Sequence, residues 1–322
     1  MKAVFRSKYG SAEVLSIKES GAPTPKEDEV LIRVYATTVN RTDCHILSGR
    51  PLIMRLFTGL FKPRLAATGS DFAGQIEALG KNVRSLKAGD KVMGFGGVFG
   101  CGSHSEYLLL QEKTTLKALI IMPDRITYDQ VAACIEGAFY ALNGVNSVKP
   151  KASQNALVIG ATGAIGSATI QFLKFYDAHV TAVCKGENTE LVKSLGADRV
   201  IDYTRDDFTK STEVYDFVFD TVAKSTFYKC KPLLKKYGMY TSSGGFENLL
   251  PTLLTPILGG KKVVFRPPTD VKGSLSFIKE LIEKGRFRPV IDRKYPLEKI
   301  AEAFTYVAAG QKIGNVILTM EP

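Results

Sequence analysis

Cysteine is sparse in this 322-residue chain and never closely paired. Cys44, Cys101, Cys134, Cys184 and Cys230 are odd in number, scattered, and form no C-x-x-C. That excludes a disulfide framework and a four-cysteine zinc lobe, and it fits a reducing compartment, the cytoplasm. No uninterrupted apolar run approaches the ~18 residues of a membrane span. The first residues, MKAVFRSKYGSAEV, lack the apolar region of a secretory leader. Basic blocks are missing too: the net charge is +11, yet no five consecutive residues are basic. The excess reads as a solvated surface, and it leaves nucleic acid, a membrane surface or a phosphorylated cofactor open as anionic partners. What is present is ordinary, with 45% hydrophobic and 23% charged residues. That is the composition of a globular protein, long enough for about two domains.

The sharpest local signal is NALVIGATGAIGSATIQFLKFYDAHVTAVC, residues 155–184. ALVIG reads as a buried parallel strand. Gly160, Gly163 and Gly166 follow at a spacing of three, then Ile165, Ala168, Phe172 and Phe175 at helical spacing, then the strand-like HVTAV. Strand, glycine turn, helix and strand make a βαβ unit. One glycine serves the tight turn, one lets backbone approach a pyrophosphate, and one lets the helix lie close on the strand. The strict dinucleotide fingerprint is G-x-G-x-x-G; here Ala161 stands for its first glycine, giving Ala161-Thr162-Gly163-Ala164-Ile165-Gly166. The expectation is a dinucleotide held on Gly160 to Gly166 at the helix N-terminus.

RVIDY (199–203), YDFVFDTV (215–222) and GMYTSSGG (238–245) read as further strands or strand ends, with NTELVKSLG and STFYKCKPLLKKYG as intervening helices. Such alternation predicts an α/β protein with a parallel sheet covered on both faces. Ligands bind beyond the carboxyl ends of its strands, which makes Thr221, Ser242 and Ser243 candidates for lining the cofactor crevice. The end of the second strand discriminates the cofactor: an acid there suits NAD, a base suits the 2′-phosphate of NADP. Lys185 follows directly, with Asn188, Tyr203 and Arg205 as possible neighbours, and the reading favours NADP(H); Glu187 argues against it.

Residues 1–124 are different, with short strand-like runs (EVLIRVYATTVN, FAGQIEALG, DKVMGFG, SEYLLLQ) between Gly and charged turns. They predict a β-rich domain of barrel type. After about residue 266 come two helical segments, SLSFIKELIEKG and LEKIAEAFTYVAAG, and the strand-like GNVILTM.

Six pieces then fall into a familiar order: VNRTD, GSDFAGQIEALGKNVRSLKAGDKVMGFG, GATGAIGSATIQ, LVKSLGADRVIDY, FDTV and RPVIDRKYPLEKIAEAFTYVAAGQKIGNVIL. Over nearly its whole length the chain resembles the medium-chain dehydrogenase/reductase superfamily. Within it, the resemblance is to the zinc-free quinone oxidoreductase branch of zeta-crystallin-like proteins and enone reductases. This implies a GroES-like β-rich catalytic domain from residues 1–124 and 267–322, and an inserted Rossmann domain, a doubly wound parallel sheet, over 125–266. It also implies a homodimer.

In the zinc alcohol dehydrogenases on this scaffold, a cysteine occupies the position of Asn40 and a Gly-His-Glu that of Gly69-Ser70-Asp71. Catalytic zinc takes three protein ligands and a water, and an amide and a hydroxyl replace a thiolate and an imidazole here. The loop GFGGVFGCGSHSEY, residues 94–107, offers only Cys101 and His104. No metal is therefore expected. Without a Lewis acid, a conjugated acceptor is easier to reduce than an alcohol is to oxidise, and hydrogen-bond donors can hold the developing oxyanion.

Asn40 and Asp43 match the branch's N-x-x-D and are expected near nicotinamide or substrate, with a purely structural hydrogen-bonded pair as the alternative. His45 is a candidate proton donor. Tyr140, in EGAFYAL, stands where many relatives carry threonine near the nicotinamide. Arg266, in VVFRPPT, matches an Arg-Pro pair of quinone reductases, and the adjoining Phe265 is assigned to the cofactor. Glu136 is an acid in an apolar run; burial would raise its pKa, and the sequence gives it no role. RPLIMRLFTGLFKPR, residues 50–64, alternates apolar bulk with Arg50, Arg55, Lys62 and Arg64. It reads as a packed helix, a substrate lid or a basic amphipathic membrane contact. The leading function is zinc-independent, NADPH-dependent reduction of a quinone or α,β-unsaturated carbonyl, with no nucleic-acid partner. The alternatives are a zinc-free NAD(P)-dependent alcohol dehydrogenase and a non-catalytic NADPH- or nucleic-acid-binding protein.

Overall fold

A computed structural model describes residues 1–97, 100–244, 246–267 and 269–320. Val98 and Phe99 of the 94–107 loop, and Gly245 of the 238–245 segment, lie outside the described residues. The chain forms two compact units: Met1–Glu136 with Asp270–Lys284 and Arg288–Pro322, and Gly137–Thr269 with Gly285–Phe287.

The first unit begins with a hairpin, β1 (Lys2–Arg6) and β2 (Leu15–Glu19), followed by the long β3 (Glu29–Val39). Two helices, α1 (Arg41–Ser48) and α2 (Met54–Thr58), lead to β4 (Asp71–Leu79), β5 (Lys91–Phe95), β6 (Tyr107–Gln111), α3 (Glu112–Ala118), β7 (Leu119–Ile121) and α4 (Tyr128–Ala132). The second unit runs from α5 (Glu136–Val148) through β8 (Asn155–Ile159), α6 (Ala164–Phe175), β9 (His179–Cys184), α7 (Thr189–Ser194), β10 (Arg199–Asp202), β11 (Tyr215–Asp220), α8 (Phe227–Cys230), β12 (Leu234–Ser242), α9 (Leu249–Leu258) and β13 (Lys262–Val263). The chain then returns to the first unit with α10 (Val271–Glu283), β14 (Ile291–Pro296), α11 (Ile300–Ala308) and β15 (Asn315–Thr319).

In the first unit the strands order β14-β15-β3-β4-β5-β7, with β6 also on β3. All pairs are antiparallel except β14 with β15. The inward side chains of β3 (Val30, Ile32, Val34), β4 (Phe72, Ile76) and β15 (Val316, Leu318) meet Phe304 and Val307 of α11 in one core. The unit extends past residue 124 to Glu136 because α4 belongs to this sheet: Tyr128 stacks on Tyr35 of β3 at 4.5 Å and 13°.

The second unit has the order β10-β9-β8-β11-β12-β13, parallel throughout. That is the doubly wound order, whose direction of winding reverses beside β8, between it and β11. Leu157, Val183, Val218 and Tyr240 fill the core beneath. Phe287 counts with this unit because its ring stacks on Phe172 at 5.1 Å. One expected helix is mostly absent. STFYKCKPLLKKYG gives only the short α8; Pro232 sits in a 3-10 turn, and Leu234 already starts β12. Gly238, expected to stop that helix, lies inside β12 beside a register shift, where a Cβ would come within 3.0 Å of the Tyr215 carbonyl.

Candidate functional site

The opening of α1 follows from its cap. Asn40 ends the extended run of β3, and its backbone N–H donates to Asp43 Oδ2 at 2.8 Å, closing a capping box across the first turn. So Asn40 and Asp43 do form the structural pair, and both are buried. The Asn40 side chain turns inward. Its Nδ2 donates to Glu136 Oε2 at 3.1 Å and also to Thr38 Oγ1. Ser70 Oγ donates to the same Glu136 oxygen at 2.5 Å. Asn40 and Ser70, which the resemblance sets opposite zinc ligands, thus converge on one carboxylate. Next to it, Asp71 accepts from Thr38 N at 2.9 Å, Thr38 Oγ1 at 2.6 Å and Thr37 Oγ1 at 3.0 Å.

Three buried carboxyl groups therefore share this corner, and charge on one disfavours charge on the next. Burial pushes the Glu136 carboxyl up to about 7, with the Asp71 charge adding to it and the Ser70 and Asn40 hydrogen bonds opposing. Asp43 is raised by burial and then by Glu136, with Arg6 opposing. Burial also raises Asp71. Lys312, half-buried in the same unit, is pushed down to about 8 by desolvation, with the Glu136 charge pulling it back. Its Nζ donates to the Gly314 carbonyl. From sequence alone Glu136 has no assigned role and Lys312 is not singled out. The signal for Glu136 was its place in an apolar run; nothing around Lys312 marked it.

His45 sits apart from this cluster. It lies a turn farther along α1, half-buried, with Nδ1 3.0 Å from the Arg50 carbonyl. Burial and then Arg41 lower its pKa. His104, one of two possible ligands in the 94–107 loop, is fixed between Thr68 Oγ1 and the Thr38 carbonyl, both at 2.9 Å, and burial lowers it to about 4. The thiols of Cys44 and Cys101 are pushed up to about 12 by burial. The donor set at Asn40, Ser70 and Glu136 is an amide and a hydroxyl bonded to one carboxyl, and it offers neither the thiolate nor the imidazole that catalytic zinc takes.

The second unit carries the glycine turn, and its three glycines do different things. Gly160 has φ +75°, and a Cβ there would strike Val222 at 2.5 Å. Gly166 lies so close on the turn that a Cβ would be 2.2 Å from the Gly160 carbonyl oxygen. At Gly163 a Cβ would meet only the Gly160 oxygen at 3.5 Å, so packing does not require glycine there. It is the N-cap of the 12-residue α6, where free N–H groups favour an anion. Ala161 is fully buried, with its N–H on the Val183 carbonyl at 3.2 Å; Ala164 is buried, and Thr162 and Ile165 are half-buried. These features fit a dinucleotide pyrophosphate.

Around this turn the expected residues divide. Lys185 and Tyr203 come together at the end of β9: both are exposed, and Tyr203 N–H donates to the Cys184 carbonyl at 3.1 Å. Lys185 Nζ is 3.9 Å from Glu187. Asn188 is half-buried at the close of the next 3-10 turn. Thr221 is buried, and its hydroxyl donates to the Ile159 carbonyl at 2.8 Å, a local bond that ties β11 to β8. Ser242 likewise donates to Gly244 O at 2.6 Å, whereas Ser243 is exposed. Tyr140 is half-buried on α5. Asn143, one turn on, donates to the Arg266 carbonyl at 2.7 Å, fixing the strand end that carries the exposed Phe265 and Arg266.

Comparison with known proteins fits this geometry. Residues 26–124 match the alcohol dehydrogenase GroES-like domain, and residues 195–318 match a domain described as zinc-binding dehydrogenase. The chain is 33% identical to the chloroplastic quinone-oxidoreductase QR1 of Triphysaria versicolor, covering 99% of this chain and 98% of that one. The chain belongs to the medium-chain dehydrogenase/reductase superfamily. It is accordingly an oxidoreductase. Another superfamily relative, the chloroplastic NADPH-dependent alkenal/one oxidoreductase of Arabidopsis thaliana, is 31% identical over 99% of this chain and 79% of its own length. The quinone oxidoreductase structure from Coxiella burnetii shares the superfamily fold, with TM-score 0.88 at 22% identity over 100% of this chain and 99% of that one. Among the described residues no helix is long and apolar enough to cross a membrane.

Proposed function

We propose that the chain catalyses NADPH-dependent hydride transfer, without zinc, to a quinone or an α,β-unsaturated carbonyl. The observation that carries this reading is the convergence of Asn40 and Ser70 on Glu136: positions that hold a metal in zinc relatives are engaged in a hydrogen-bonded acid cluster. An alcohol dehydrogenase needs an electrophile to polarise its substrate, whereas a conjugated acceptor spreads charge onto an oxygen that hydrogen-bond donors can hold. The relatives from Triphysaria and Arabidopsis, named for quinones and for alkenals or enones, support the same acceptor class.

The cofactor, when bound, supplies the hydride. In this reading Gly163 and the N-terminus of α6 receive its pyrophosphate. Lys185 and Tyr203 take the 2′-phosphate, with Glu187 holding the lysine in place. Asn188, Ser243 and Phe265 line the remaining cofactor surface, while Thr221 and Ser242 serve it through backbone they hold. Asn40 and Asp43 shape the active corner, Tyr140 and Arg266 meet the reacting end, and His45 is left to the rim. The five free cysteines support a reducing compartment, which we take to be the cytoplasm.

The test is NADPH oxidation with a benzoquinone, a naphthoquinone, a 2-alkenal and a cyclic enone, with and without chelator, beside a simple alcohol with NADP. Chelator-resistant turnover of a quinone or enone is expected. Chelator-sensitive alcohol oxidation would overturn the reading. Binding of NADPH with no turnover on any acceptor would point to a non-catalytic protein.

A further inference from the structure

From Cys44 to Ser70 the sequence contains no Asp or Glu, while Arg50, Arg55, Lys62 and Arg64 fall within it. Two of its polar side chains turn inward: Thr58 is buried with its Oγ1 2.7 Å from Tyr9 Oη, Tyr9 Oη donates to the Gly59 carbonyl at 2.5 Å, and Arg55 donates to the Gly49 carbonyl at 3.2 Å while lying over the Tyr9 ring. The chain is closed by Arg64 N–H on the Thr58 carbonyl at 2.8 Å. Its large apolar groups face out. Leu52, Leu56 and Leu60 are all more than half exposed, and Phe61 is 89% exposed, the highest value for a large apolar side chain among the described residues. Arg50, Lys62 and Arg64 are exposed beside them. A soluble surface seldom gathers so much apolar bulk without a partner.

We propose that residues 50–65 form a docking surface for an anionic lipid bilayer. Leu56, Leu60 and Phe61 would enter the acyl boundary, and Arg50, Lys62 and Arg64 would engage lipid phosphates. The choice of occupant rests on the charge. A second copy docked here would bring Arg50, Lys62 and Arg64 against their own images with no acidic residue in the segment to meet them, and a neutral apolar substrate would leave these three exposed cations without counter-charge. An anionic bilayer satisfies both components at once: apolar area enters the interface while basic side chains meet the negative surface. The proposal does not depend on which acceptor the enzyme reduces.

Because the chain contains no Trp, Phe61→Trp makes a single-fluorophore reporter at the tip. The full-length variant is mixed with phosphatidylglycerol-rich vesicles or with pure phosphatidylcholine vesicles. Expected is a blue-shifted emission with the anionic vesicles, quenching by brominated lipid, and release by salt. Co-sedimentation of an L56S/L60S/F61S chain should be at least about tenfold weaker, and each of Lys62→Glu and Arg64→Glu should weaken binding by about fivefold or more. NADPH affinity and melting temperature should be unchanged, since these side chains are exposed. The proposal is overturned if the reporter emission does not move, if the triple variant sediments like the wild type, or if the triple substitution instead halves the mass in solution, which would assign the patch to a second copy. A raised KM for an apolar acceptor without any vesicle binding would assign it to a lid and overturn it equally.

Discussion

Glu136 gathers the hydrogen bonds of Asn40 and Ser70 and sits buried beside the Asp71 charge. An ordinary carboxyl of this type titrates at 4.5, and this one at about 7. Between those values the native state keeps a proton that the unfolded chain has released. Stability therefore falls as pH rises through that window, by up to about 1.4 kcal/mol per pH unit for one proton. Asp43 and Asp71 are raised as well and act in the same sense. Lys312 acts above about pH 8, where the unfolded chain holds the extra proton and stability recovers as pH rises toward 10.5. Glu136→Gln keeps the volume and the acceptor oxygen but cannot ionise. Urea midpoints from about pH 5 to about pH 8 should show a shallower decline in E136Q than in wild type; equal slopes would place the proton elsewhere. A second test at this scale concerns Lys185. Lys185→Ala should raise KM for NADPH about tenfold, close to the loss of one charged hydrogen bond, and leave KM for NADH nearly constant. Parallel changes for both cofactors would separate Lys185 from the 2′-phosphate.

At the scale of elements, the glycine turn offers a paired experiment. Gly166→Ala drives a methyl into the Gly160 carbonyl, backbone that cannot swing aside. A cost of roughly 1–3 kcal/mol is expected, the range for overpacking, and calorimetry should read it as a lower melting temperature. Gly163→Ala meets only an ordinary contact, the Gly160 oxygen at 3.5 Å, at φ −70°, which any residue adopts. It should melt with the wild type yet bind NADPH about tenfold or more weakly, because the methyl stands where the pyrophosphate must approach. If both variants lose stability alike, Gly163 is a packing residue. This turn was readable in the sequence because strand, glycines and helix are contiguous, so every constraint is local. STFYKCKPLLKKYG was misread for the opposite reason. Its residues have helical propensity as far as Pro232, but Leu234 pairs with Tyr215 across the sheet, and that long-range strand contact prevails. Glu136 was seen as an anomaly without a function because its partners, Asn40 and Ser70, are distant in sequence. Asn40 and Asp43 stand out in the sequence only through the resemblance, which leaves a structural bond as one of two readings; the cap shows that bond.

For the whole molecule, the second unit leaves an edge unfinished. Its parallel sheet ends at β13, a two-residue strand with no neighbour on its outer side among the described residues. Before it, α9 exposes Leu249, Leu250, Leu253, Leu254 and Ile257. Their spacing places them on one face of the helix, so the unburied area is a continuous stripe beside an open sheet edge. Exposed edges are normally blunted or paired, and a self-complementary patch of this kind suits an isologous contact between two copies. A homodimer formed here would bury the stripe against its own image. Light scattering should then give about twice the 35.2 kDa chain mass, and Leu253→Asp with Ile257→Asp should return the particle to a single chain, because each carboxylate would face apolar area and its own symmetry mate. The membrane-facing segment lies in the other unit, so the L56S/L60S/F61S chain should keep the dimer mass. A dimer that survives L253D/I257D would mean that some other surface joins the copies, and the leucine stripe would need a different partner.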